Sequence, residues 1–88
     1  MENRTNNSDD INIIKAKIIK LFNDKKNIHV TINVKRKKVK NAISEIVGVY
    51  KNFFNVKSYV NLYYEEFSIS YIDILIGNVS ISELSYSK

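Results

Sequence analysis

Residues 28–34 read Ile-His-Val-Thr-Ile-Asn-Val, a strict alternation of apolar and polar side chains. In extended chain this puts Ile28, Val30, Ile32 and Val34 on one face and His29, Thr31 and Asn33 on the other, the pattern of a half-buried strand. A strand needs neighbours for its backbone, and the sequence offers four more β-prone runs: 42–50, 53–57, a stretch within 58–71 with a turn near 57–62, and Val79–Ile81. Lys51–Asn52 and Gly77–Asn78 supply turn chemistry, and Gly48 marks a bulge or bend. Upstream, Ile11, Ile14, Ile18, Leu21 and Phe22 recur at helical spacing. With Ser8 as N-cap and Asp9 and Asp10 at the positive end of the dipole, residues 9–22 are expected to form an amphipathic helix. Its apolar stripe would cover an open side of the sheet. One helix followed by about five short strands predicts a mainly β, α+β fold: a small antiparallel barrel or strongly bent sheet. Eighty-eight residues hold one thin core. The expected organisation is a polar tail at 1–8, one domain over 9–82 and a loose tail at 83–88.

Catalytic chemistry needs convergent groups, and the chain has few. Cysteine is absent and His29 is the one histidine, so no thiol chemistry or metal site is expected. Glu65 and Glu66 are adjacent and would point to opposite faces of a strand. Asp73 reads as a turn residue capping backbone N–H groups. The two glycines are too far apart for a phosphate loop. The expectation is a non-enzymatic protein without cofactor, metal or small-molecule substrate. No apolar run approaches the ~20 residues of a membrane helix, and the polar, acidic start is unlike a secretory signal. A cytoplasmic location is expected.

Charge is uneven. Residues 15–57 carry twelve Lys/Arg against Asp24 and Glu45, while the formal charge of the whole chain is +5. Lys35, Arg36, Lys37, Lys38 and Lys40 crowd into the stretch 34–40. They read either as a phosphate grip, DNA or RNA, or as a solvated hairpin. Lysine dominance favours nonspecific phosphate contact over base readout, and Phe53, Phe54, Tyr59, Tyr63 and Tyr64 could stack on bases. Tyr59, Tyr63 and Tyr64 are equally candidates for a protein-interaction surface, including a homodimer, since Tyr63 and Tyr64 cannot both be buried on one strand.

Two stretches, 49–56 (Val-Tyr-Lys-Asn-Phe-Phe-Asn-Val) and 67–81 (Phe-Ser-Ile-Ser-Tyr-Ile-Asp-Ile-Leu-Ile-Gly-Asn-Val-Ser-Ile), resemble the Veg family of small proteins of low-GC Gram-positive bacteria. That family carries Tyr-Pro-Ser-x-Phe and then Ser-Tyr-Ser-Tyr-x-Asp-Val-Leu-Thr. Tyr50, Asn52 and Phe54 fall on the first pattern; Ser68, Ser70, Tyr71, Asp73, Ile74 and Leu75 fall on the second. Ile11 and Lys15 match the family's helix, and Asn33 and Arg36–Lys38 its basic hairpin. The family's two glycines are Val34 and Lys35 here and its proline is Lys51, so the first hairpin is expected to be longer or reshaped. The resemblance, that of a divergent member, implies a helix packed on a five-stranded SH3-like barrel. It also implies a role in biofilm and developmental gene expression through antagonism of a transcriptional regulator. Ser68, Ser70, Tyr71, Asp73 and Leu75 are then a structural motif.

Overall fold

The structure, a computed structural model, describes residues 6–60 and 62–84. Of the expected tails at 1–8 and 83–88, residues 1–5 and 85–88 lie outside these; residues 6–8 belong to the first helix, and Glu83 and Leu84 to a 3-10 turn in which Glu83 bonds His29. Helix α1 spans Asn6–Asn23. It already includes Asn6, so Ser8 lies inside it rather than at its cap; no glycine or proline stands in the way of that extra turn. Strands β1 (Asn27–Val34), β2 (Lys37–Val49), β3 (Phe53–Val60) and β4 (Tyr63–Ser70) follow as a meander. A short helix α2 (Tyr71–Leu75) then leads to β5 (Val79–Ile81) and a 3-10 turn at Ser82–Leu84.

All strand pairs are antiparallel, in the order β4-β3-β2-β1-β5. The expected helix and five strands are therefore present. The sheet is not closed into a barrel, because β4 and β5 are its two edges and no ladder joins them.

Two irregularities bend the long strand β2. Val30 pairs with Ala42 and Ile32 with Val39, so Thr31 alone faces Lys40 and Asn41. Asn41 takes left-handed backbone (φ 53°), which asparagine tolerates better than most residues. Its N–H donates to Thr31 Oγ1 at 2.9 Å. The extra residue resets the alternation, so that Val39 and Ala42 are both buried. A second extra residue, Val47, falls between Ile46 and Gly48, beside the glycine that marks a bend in the sequence. Bulges of this kind raise local twist and curve a sheet. The concave side holds Ile28, Val30, Ile32, Ile46, Phe54, Val56 and Ile69. Helix α1 covers it with Ile18, fully buried, flanked by Ile11, Ile14 and Leu21. Phe22, placed on the stripe by spacing, stays exposed at the last turn.

The β1–β2 loop is two residues, Lys35 and Arg36, closed by the pair Val34↔Lys37. Neither residue has positive φ. The hairpin is not lengthened; it is reshaped from the primed turn that glycines favour to one that Lys and Arg can adopt.

Candidate functional site

The two stretches that carry the Veg resemblance meet in space, and what they build is structural. The Tyr71 ring stacks on Phe54 at 5.6 Å. Its hydroxyl donates to the Tyr50 carbonyl at 3.0 Å and its N–H to the Asn52 carbonyl at 3.3 Å. Ser70 caps α2 by accepting the Ile72 N–H at 3.1 Å. Ser68 Oγ donates to Asn55 Oδ1 across the β3–β4 ladder. Asp73 lies in the first turn of α2, where its charge suits the helix dipole. Its carboxylate accepts from Asn78 Nδ2 at 3.4 Å, so the backbone cap expected of Asp73 is made by Ser70 instead. Gly77, at φ 91°, ends the helix in left-handed backbone. Leu75 is half-buried.

The basic stretch divides between two faces. Lys35 and Arg36 form the exposed loop. Lys37 turns to the concave side, where its Nζ meets Glu65 Oε2 at 2.6 Å and lies 4.7 Å from the Phe67 ring centre. Strands β2 and β4 are not neighbours in the sheet, so this pair spans its curvature. Lys38 and Lys40 are exposed on the convex face, and Lys38 donates to Asn33 Oδ1 at 2.9 Å. Among the described residues no carboxylate pairs with Lys35, Arg36, Lys38 or Lys40.

The tyrosines divide too. Tyr59 and Tyr64 are cross-strand partners on the convex face, with ring centres 5.1 Å apart and tilted by 59°. Lys57 Nζ lies 5.3 Å from the Tyr64 ring. Tyr63 points the other way and is 75% exposed, so neither Tyr63 nor Tyr64 is buried. Leu62, between them and β3, is 81% exposed at φ 72°.

Ile43 and Lys57 join this face and were not singled out by sequence, because which residues neighbour Tyr59 and Tyr64 depends on the β2–β3–β4 register. Comparison with protein-family models, curated proteins and solved structures returned no match.

The rim holds one further pair. His29 donates its N–H to Glu83 Oε1 and its Nδ1–H to Oε2, both at 2.8 Å. Burial pushes the Glu83 carboxyl up. The His29 hydrogen bonds, its own N–H and the His29 charge outweigh that and hold it below the usual glutamate range. A depressed carboxyl stabilises the fold above its unfolded value and loses that contribution as pH falls through the folded one. Thermal midpoints recorded from pH 6 to pH 3 should therefore drop less steeply for Glu83→Gln than for the parent protein. Identical acid slopes would mean that the pair adds nothing. No described helix is long and apolar enough to cross a membrane.

Proposed function

We propose that this chain is a non-enzymatic regulatory binding protein that acts by protein–protein contact through the tip of its β3–β4 hairpin. The observation that carries this reading is the run Leu62, Tyr63 and Tyr64, exposed by 81%, 75% and 67%. Three consecutive large apolar side chains in water are costly, and tyrosine is enriched in binding hot spots. Leu62 adds a backbone cost, since left-handed φ is unfavourable for a leucine. A strained, exposed leucine beside two exposed tyrosines is better accounted for by contact with a partner than by folding. The Veg resemblance supports a transcriptional regulator as that partner and biofilm or developmental gene expression as the setting.

Variants of the tip test this. Tyr63→Ala or Tyr64→Ala should weaken binding to the regulator about tenfold, with unfolding free energy changed by about 0.5 kcal/mol or less. Leu62→Gly should act in opposite directions: weaker binding, and a fold more stable by up to about 1 kcal/mol as the φ strain is relieved. Unchanged affinity in all three, measured by biolayer interferometry, would remove the tip from the interface. A large loss of stability would instead make the side chains part of the fold.

A further inference from the structure

We infer that the convex face of the β1–β2 hairpin is a separate site for single-stranded nucleic acid, with Lys35, Arg36, Lys38 and Lys40 on the phosphates and Tyr59 under a base. The β2–β3 ladder runs from Val49↔Phe54 to Ser44↔Ser58 and forms no rung beyond that point. From there β2 departs from β3, and a cleft of about 400 Å³ opens between Lys38 and Lys40 on one wall and Tyr59 and Val60 on the other. That volume lies in the range of small-ligand sites and suits one nucleotide.

Lys38 and Lys40 line this opening, and Lys35 and Arg36 stand further out in the exposed turn of the same hairpin; none of the four makes an ion pair among the described residues. Lys37 is excluded, because it is held on the opposite face by Glu65. Tyr59 is 46% exposed, so part of its ring is open to stacking. Backbone-tracking cations beside an aromatic platform are the components of sequence-tolerant single-strand binding. A duplex would satisfy the lysines but keep its bases stacked, out of reach of Tyr59. Three lysines to one arginine also leave little capacity for reading base edges.

Charge limits the site on its other side. Glu45, Lys57 and Glu66 stand in register across β2, β3 and β4, so the excess of positive charge ends beyond the tyrosines. A bound strand would follow the hairpin, reaching β3 only at its end, Tyr59 and Val60, and would not cross onto β4. The site differs from the Leu62–Tyr64 tip and borders it at Tyr59, whose ring lies 5.1 Å from that of Tyr64, so Lys38→Glu with Lys40→Glu, on the far wall of the cleft from that ring pair, is the variant that disables it alone.

The test is fluorescence anisotropy of the full chain with labelled oligo-dT, a mixed-sequence single-stranded RNA and a duplex of equal length, over a KCl series. The expected result is binding to both single strands, with a log–log salt slope no steeper than about −3 for four phosphates at about −0.7 each. Lys38→Glu with Lys40→Glu should weaken it at least about twentyfold, consistent with a dominant phosphate term. Tyr59→Ala should weaken it about tenfold, and Tyr59→Phe should restore it, as expected for stacking. Lys37→Gln, and a charge-matched Lys25→Glu with Lys26→Glu, should stay within about twofold if position rather than net charge governs contact. Three results would overturn the inference. One is no binding at 50 mM KCl. Another is equal loss in the charge-matched control. The third is duplex binding that matches the single strands and ignores Tyr59.

Discussion

Tyr71→Ala should lower the stability of the fold by about 3–5 kcal/mol. Tyr71 is 1% exposed and is among the largest fully buried side chains. It joins the end of β4 to the β2–β3 connection through Phe54, the Tyr50 carbonyl and the Asn52 carbonyl. Truncating a buried aromatic costs about 3–5 kcal/mol. A domain of this length has about 4–13 kcal/mol in all, so the loss is a large part of the whole. Tyr71→Phe keeps the ring and loses one hydrogen bond, at about 1 kcal/mol. The order Ala far below Phe, read from urea midpoints, is the expected outcome; equal effects would mean that the hydroxyl rather than the ring matters. Burial also raises the Tyr71 hydroxyl above its ordinary value of 10.0. An acid with a raised folded value gives its full stability below the unfolded value and loses it as pH rises through the folded one. The parent should therefore weaken above pH 10 more steeply than Tyr71→Phe.

Ser44→Ala is expected to cost more than removing both serines of the pair it belongs to. Ser44 and Ser58 face each other from β2 and β3 inside the core, at 2% and 0% exposure. Ser44 Oγ donates to the Ala42 carbonyl at 3.1 Å, so the Ser58 hydroxyl donates to Ser44. Ser44→Ala leaves a buried Ser58 hydroxyl without that partner, at about 1–3 kcal/mol. Ser58→Ala leaves Ser44 its carbonyl bond and should cost less. Replacing both removes two buried hydroxyls together and can be nearly neutral. A double-mutant cycle by chemical denaturation measures this. Strictly additive losses would mean that the two hydroxyls act independently.

Most of this architecture is legible in the sequence. The alternation at 28–34 gave β1, with Ile28, Val30 and Ile32 inward, and the helical spacing of Ile11, Ile14, Ile18 and Leu21 gave the covering helix. Gly48 located a bend. Helix α2 looks in the sequence like a turn, although Ser70-x-x-Asp73 before Gly77 is a capping signature; five residues are too few for a helical period to register. The split of the basic stretch was not legible either. Which face each lysine takes depends on where Lys37 opens β2 and on the bulge at Asn41, and the bulge appears only when β2 is paired with β1. Sequence adjacency grouped Lys37 with its neighbours; the sheet's curvature delivered it to Glu65.

The same separation holds for function. The residues of 50–54 and 68–75 shared with the Veg pattern build the junction of β3, β4 and α2, so resemblance there speaks to fold. The Leu62–Tyr64 tip lies elsewhere, whereas Arg36 and Lys38 of the basic hairpin fall on the pattern too; all of these are side chains that the core does not need. The most direct measurement places a photo-crosslinking amino acid at Leu62, at Tyr63 and, as an exposed control, at Ile72 on α2 in living cells, then identifies the adducts by mass spectrometry. The account predicts that a transcriptional regulator is captured from positions 62 and 63 and not from 72. Adducts that are absent at the hairpin, or the same from all three positions, would contradict it.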